Sequence, residues 1–284
     1  MTNKSTLGVV AISYNEQRDL PAFLEHLLPW VDEIVIVDDG STDATERIAT
    51  SAGNKIKFII SPRKPSEYFA QQRNKGIEAA TSDWLLHMDI DERVTPTLAD
   101  EILEVINNPD KDGYRFCRLN YFLHRPMYGG GWQDWNMLHL ARRRLFHFEG
   151  MFHETCILDA TENRIGQLKA KMWHLNDSSY KDRMRKSFNY CEEQAKRLSE
   201  RYLQITWLHL FSLPIFEFIR KFFFKGGYRD GTLGLLFAMH ASGAMFRACA
   251  LVWDEQHRVS RGSIEQQLQE IWKKDNLNLC HAEK

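Results

Sequence analysis

Two hydrophobic periods alternate along the first 120 residues. The runs "LGVVAISY" (7–14) and "EIVIVDDG" (33–40) are short, rich in β-branched residues and closed by polar ones. That is the pattern of parallel strands buried on both faces. Between them Leu20, Phe23, Leu24, Leu27 and Leu28 recur at helical spacing behind Pro21, a residue that a first turn accepts. "STDATERIATSAG" predicts a second helix, which Ser41, Thr42 or Asp43 can cap and Gly53 can end. "KIKFII" predicts a third strand, "FAQQRNKGIEAA" a third helix and "DWLLHMD" a fourth strand. Alternation at this pitch predicts right-handed βαβ units in a doubly wound sheet.

The pattern changes downstream. Over 113–160 only "GYRFCRLNYF" and "ETCIL" read as strands, around the aromatic, glycine-rich loop "MYGGGWQDW". A charged helix is expected from Tyr180 to about Tyr202, an apolar region rich in phenylalanine over 205–253, and a polar helix or tail at the end. This predicts an α/β unit over 1–178 and a helical extension over 179–284. No internal repeat or low-complexity linker interrupts either.

Composition narrows the function classes. Of 284 residues 43% are hydrophobic and 26% charged, enough for a sizeable core. The net charge of −1 argues against a general nucleic-acid binder. Five scattered cysteines without CxxC spacing read as reduced thiols, which fits a cytoplasmic protein without a disulfide or zinc framework. The opening "MTNKSTLGVVAISYNE" lacks the apolar core and cleavage site of a signal peptide, and the same location is expected from it.

Ligands on doubly wound sheets bind beyond the carboxyl ends of the strands, where "SYNE", "DDGSTD" and "DIDE" all fall. Asp89 and Asp91, one residue apart, would share a face of an extended strand and could both reach one hard divalent cation. Mg²⁺ and Mn²⁺ take few carboxylates and complete their shells with phosphate oxygens. The same pair would also serve as a solvated strand end. Asp38 or Asp39 can accept a ribose hydroxyl or a base N–H, while Gly40, Ser41 and Asp43 suit a turn and a helix cap. Asn15 and Glu16 fit a base or a cap, and Arg73 is a bidentate phosphate donor or a surface arginine.

"AISYNE", "VDDGSTD", "RNKGIEAA" and "LLHMDIDE", in this order and spacing, resemble the family 2 glycosyltransferases. The resemblance covers about the first 160 residues. It implies a GT-A fold, an α/β doubly wound mixed sheet, here with an α-helical C-terminal extension. It also implies transfer of a sugar from a nucleotide-diphosphate donor with inversion at the anomeric carbon. Ser13, Tyr14, Asn15, Glu16, Asp39, Arg73 and Asp89 would line the nucleotide site, and Asp89 and Asp91 would hold Mn²⁺ or Mg²⁺ with the diphosphate. UDP-glucose is the donor that the family suggests.

Inversion needs a general base on the face opposite the leaving diphosphate. In the branch that decorates lipopolysaccharide cores, a His-Glu pair follows D-x-D at a similar distance, and "FEGMFHETCIL" supplies His153 and Glu154. By that likeness Glu154 is the base and His153 a further metal ligand or diphosphate donor. Glu149 and Asp134 are the reserves. "HLARRRLF" departs from the branch, with His139 where an arginine is usual, followed by Arg142, Arg143 and Arg144. Arg143 is the candidate for an anionic acceptor, and Trp132 and Trp135 for stacking on sugar faces, although aromatic residues also anchor cores.

In "FSLPIFEFIRKFFFKGGYRDG" helical spacing puts Glu217, Arg220, Lys221 and Lys225 on one face and phenylalanines on the other, as in a helix lying at a bilayer surface. "TLGLLFAMHASGAMFRACALVW" is long enough to span, but His240 and Arg247 make that costly. The motif "KGGYRDG" is like the tail of enzymes that glycosylate lipid-linked acceptors. The expectation is an inverting, metal-dependent glycosyltransferase, peripheral on the inner face of the bacterial inner membrane, acting on a lipopolysaccharide core or another lipid-linked saccharide. A nucleotidyltransferase with the same metal–phosphate logic, or a non-catalytic membrane scaffold, are the alternatives.

Overall fold

A computed structural model describes residues 4–64, 66–150 and 154–282. The chain begins β1 (Leu7–Ser13), α1 (Leu20–Leu27), β2 (Glu33–Asp38), α2 (Thr45–Ser51), β3 (Ile56–Ile60), α3 (Phe69–Ala79) and β4 (Trp84–His87). Each strand is too apolar to leave either face in water, so helices cover both. Strands β3, β2, β1 and β4 lie side by side and parallel. Leu7, Val9, Ala11, Ile34, Ile36, Trp84 and Leu86 pack toward α1, while Val10, Val35 and Leu85 pack toward α3 on the opposite face. Leu20, Phe23, Leu24 and Leu27 are all buried, which makes α1 a full apolar stripe.

Next come β5 (Glu92–Arg93), α4 (Pro96–Asn107), β6 (Gly113–Phe122), β7 (Arg125–Pro126), β8 (Asn136–Arg142), β9 (Phe146–Glu149), β10 (Thr155–Leu158), β11 (Ile165–Gln167) and β12 (Met172–His174). Strand β8 enters between β4 and β6, antiparallel to both, and the sheet continues through β12 to β5. This is the doubly wound, mixed GT-A sheet expected. The register pairs His174 with Asn120 of β6 on one side and with Glu92 of β5 on the other.

One expectation shifts at α2. Ser41 does not cap it, because its hydroxyl donates to Asp38 Oδ1 at 2.5 Å. The N-cap position falls on Ala44, which makes no side-chain cap bond; Asp43 before it accepts the Thr45 amide at 3.0 Å, and Gly53, with φ of 119°, follows the helix end.

The helical part comprises α5 (Tyr180–Asn189), α6 (Cys191–Arg201), α7 (Trp207–Ile219), α8 (Gly231–His257) and α9 (Arg261–Ala282). Helix α7 contains Pro214 and passes at Arg220 into a π-helical turn, where the Lys225 amide donates to the Arg220 carbonyl at 2.8 Å. The predicted polar face of this segment turns inward. Glu217 is buried on Arg220 at 2.7 Å, Lys221 stands 5.6 Å over the Phe237 ring, and Lys225 pairs with Asp134 at 2.8 Å. The aromatic side faces out, with Trp207 72% and Phe224 77% exposed. Facing protein, those charges find partners that water would otherwise supply. His240 and Arg247 likewise point to α5, at Tyr180 and at Ser187 and Phe188.

Candidate active site

The polar ends of β1, β2 and β4 meet in one crevice, and each is shaped by a local bond. Asp38, buried at the end of β2, accepts the Ser13 hydroxyl at 2.7 Å and the amides of Gly40 and Ser41 at 3.0 and 2.7 Å. It holds the turn, and Asp39 is left at the rim, bound by Arg63 Nε at 2.7 Å. Asn15 adopts φ of 56°, a left-handed conformation that asparagine tolerates, and accepts the Thr42 amide at 2.8 Å. The first two strand ends are thereby stitched together. Tyr14 beside them is exposed.

Arg73 is the hub. Helix α3 carries it into the sheet, where it is 8% exposed. Its Nη2 donates to Asp89 Oδ1 at 2.8 Å and to Glu154 Oε1 at 3.1 Å, and its Nη1 meets His87 Nε2. Burial and the guanidinium hold the His87 pKa well below its ordinary value, so the neutral ring can accept that contact. Arg118 of β6 approaches the other Asp89 oxygen at 3.5 Å. Burial works against the Asp89 charge, but Arg73 and Arg118 outweigh it and keep the carboxyl far below its usual range. Arg118 Nε also lies 2.5 Å from Glu92 Oε1, an ion pair without hydrogen-bond alignment. Burial dominates at Glu92 and pushes its pKa up to about 7.

Asp91 has different company. Its Oδ2 lies 3.4 Å from His174 Nε2, and His174 Nδ1 lies 2.7 Å from Asn120 Oδ1. Burial opposes the His174 charge, yet Asp91 raises its pKa overall, while the same contact lowers that of Asp91 against burial. Glu16 shares this corner. Burial first, and the Asp91 charge second, push its pKa to about 7. The two aspartates of D-x-D thus face different partners, because the chain leaves β4 at His87 and turns rather than continuing extended.

Among the described residues no cluster of three or more His, Cys, Asp or Glu side chains is arranged to hold a metal by itself. Asp91 and Glu16, two carboxylates at one corner, fit a hard cation that arrives with phosphate oxygens and needs only one or two protein ligands, while His174, with both ring nitrogens against oxygens of Asp91 and Asn120, orients Asp91.

Glu154 belongs to the Arg73 cluster, and His153 lies outside the described residues. Trp132 is packed on Phe237 and Phe122 with ring centroids 4.6 and 6.0 Å away, so it anchors the loop. Trp135 is exposed, with Arg118 5.5 Å from its ring. The structure does not bring Arg143 to this cluster: its Nε donates to the Ser82 carbonyl at 3.0 Å, at the opposite end of β4. Reserve candidates Asp134 and Glu149 pair with Lys225 and His147.

Sequence reasoning passed over Arg118, Asn120 and His174. The first two had a legible signal, since they alternate with Tyr114, Phe116 and Phe122 on the buried face of β6. His174 had none, because only the β12–β5 register brings it to Asp91.

Comparison with known proteins follows this geometry. Residues 8–160 match the family model described as Glycosyl transferase family 2. The lipopolysaccharide core biosynthesis glycosyltransferase LpsC of Rhizobium meliloti (strain 1021) is 25% identical over 275 residues, covering 94% of this chain and 99% of that protein. An uncharacterized glycosyltransferase of Rickettsia typhi is 24% identical over 243 residues, 81% of this chain and 80% of that one. The crystal structure of glucosyl-3-phosphoglycerate synthase from Mycobacterium tuberculosis with Mn²⁺, UDP-glucose and phosphoglyceric acid superposes with a TM-score of 0.45 at 17% identity, over 61% of this chain and 73% of that chain.

Proposed function

The chain belongs to glycosyl transferase family 2 and is a glycosyltransferase, and from that premise we propose that it transfers a hexose from a UDP donor, with inversion at the anomeric carbon and release of UDP, onto a lipopolysaccharide core or a similar lipid-linked saccharide. Membership of the family sets aside the nucleotidyltransferase and scaffold alternatives. The acceptor class is supported by the likeness to LpsC along nearly the whole chain. The observation that carries the mechanism is the convergence on one crevice of the Arg73–Asp89–Glu154 cluster with the Asp91–His174 pair.

In this reading residues 1–178 hold the donor and the chemistry, with Ser13, Tyr14, Asn15, Glu16 and Asp39 around the nucleotide. Asp91, with His174 beside it, would hold Mn²⁺ or Mg²⁺, which when bound neutralises charge on the departing diphosphate. Asp89 fixes both Arg73 and Arg118: Arg73, whose fork is spent on Asp89, Glu154 and His87, orients the base, while Arg118 would offer its charge to the diphosphate. Arg73 binds Glu154 through Oε1, so Oε2 is the oxygen that takes the proton from the acceptor hydroxyl. The hydroxyl oxygen then attacks the anomeric carbon as its bond to the diphosphate breaks. Trp135, exposed at the mouth, offers a stacking face to the acceptor sugar.

Residues 179–284 would place this crevice at a membrane. Helix Gly227–His257 is long and apolar enough to span one by length and composition, and 33% of its most apolar stretch is buried. With His240 and Arg247 facing α5, lying on the cytoplasmic face of the inner membrane fits better than crossing it.

The test is UDP release and sugar transfer to truncated-core lipopolysaccharide from UDP-glucose with Mn²⁺. Asp91→Asn is expected to lose at least about a hundredfold in turnover. Full wild-type activity in EDTA would overturn the metal role.

A further inference from the structure

We propose that Asp230 is a positioning residue: it latches the loop 128–135 onto the site, so that the helical extension fixes the acceptor-side wall. This rests on the functional reading above. Both Asp230 carboxylate oxygens are committed to the loop backbone, Oδ1 to the Tyr128 amide at 3.0 Å and Oδ2 to the Gly129 amide at 2.8 Å. The next amide, Gly130, donates to the Lys225 carbonyl at 2.9 Å. Three consecutive loop amides therefore end on one turn of the extension.

The contact is backbone on backbone. A Cβ at Gly129 would fall 2.3 Å from the Gly226 carbonyl oxygen, and one at Gly130 would fall 2.7 Å from the Phe237 ring. Neither backbone nor a ring packed on Trp132 and Phe122 can yield that much.

From the latched end the loop reaches the chemistry by two short routes. The Trp132 carbonyl accepts Asn120 Nδ2 at 3.0 Å, and Asn120 holds His174, the neighbour of Asp91. The Trp135 carbonyl accepts the Arg118 amide at 3.1 Å, and the Arg118 guanidinium reaches Asp89. A carboxylate accepting two amides is a charge-assisted contact, stronger than the neutral turns it replaces. Asp230 lies outside the crevice yet determines where Trp135 and Arg118 stand.

Two substitutions test this from opposite sides. Asp230→Asn turns an NH₂ group toward a backbone N–H or leaves one amide unmatched. Gly129→Ala forces loop and turn apart without changing charge. Both should raise hydrogen exchange at the Tyr128, Gly129 and Gly130 amides about tenfold or more, and raise KM for truncated-core lipopolysaccharide about tenfold. KM for UDP-glucose should rise by less, about twofold to fivefold, because the two routes end on the residues assigned to the metal and the diphosphate. Faster exchange with both KM values unchanged would make Asp230 a fold-holding residue only and overturn the proposal. A wild type that transfers nothing to this acceptor would sink the functional reading instead. Exchange needs no substrate and still decides the latch: rates at the three amides equal to wild type overturn it.

Discussion

Arg73 Nη2 stands 2.8 Å from Asp89 Oδ1, joining helix α3 to the segment that follows β4. The same nitrogen reaches Glu154 at 3.1 Å, so one buried cation serves two acids from segments distant in sequence. Arg73 is buried and the two carboxylates are partly buried, so the members of the trio depend on each other: charge held away from water is costly when unpaired.

Arg73→Ala leaves Asp89 and Glu154 without that partner and is expected to destabilise the fold by about 3–5 kcal/mol, read by urea unfolding. Arg73→Lys keeps the charge without the planar fork and should recover part of the stability and little of the activity. Equal stability of Arg73→Ala and wild type would contradict the hub.

Glu154→Gln preserves shape and removes the basic oxygen. Sugar transfer should fall by about 10²–10⁴ while KM for the nucleotide sugar changes little. Normal transfer by this variant would take Glu154 out of the base role.

Stability should fall with acid through His26. Its Nε2 accepts the Val94 amide at 3.2 Å and its Nδ1 lies 3.0 Å from the Ala22 carbonyl, so the neutral ring is the one that fits. Burial lowers its pKa to about 4 from the ordinary 6.5. A depressed folded-state pKa means that the contribution is complete above pH 6.5 and is lost as pH drops through 4. Discounted for partial exposure, it is about 2 kcal/mol. The stability gap between wild type and His26→Gln, measured by denaturant at pH 7 and pH 4, should close by that amount.

Arg143→Ala should leave transfer within about twofold of wild type, since its contacts are to Ser82 and Asp83 at the far end of β4. A large rise in acceptor KM would return Arg143 to the acceptor side.

Phe211 and Phe224 are exposed on the aromatic face of α7 and its π-helical turn. Phe211→Glu with Phe224→Glu should cut sedimentation with anionic vesicles about tenfold or more and leave the unfolding midpoint in place. Unchanged sedimentation would remove this face as the membrane contact.

The strands and helices of the first hundred residues were legible because period and burial agree there. Val9, Val35 and Leu86 can be nothing but core, and polar strand ends follow from that. The D-x-D pair was legible as a site but not as two environments, because the backbone leaves its extended path at Met88 and the register of β12 supplies His174 from 83 residues beyond Asp91. The polar stripe of 217–225 was read with the correct spacing and the wrong neighbour. Helical periodicity reveals that a segment has two faces, and only the packing of α8 and the 128–135 loop decides which meets water.

Strand β8 separates β4 from β6, and this order matters while the polypeptide is being made. Trp84, Leu85 and Leu86 leave the ribosome well before Leu140, Ala141 and Arg142, their partners on that side. At about 5–20 residues per second the nascent sheet carries an open, greasy margin for roughly 3–10 s. Until β8 docks, that margin is the stretch of the nascent chain open to pairing with another strand.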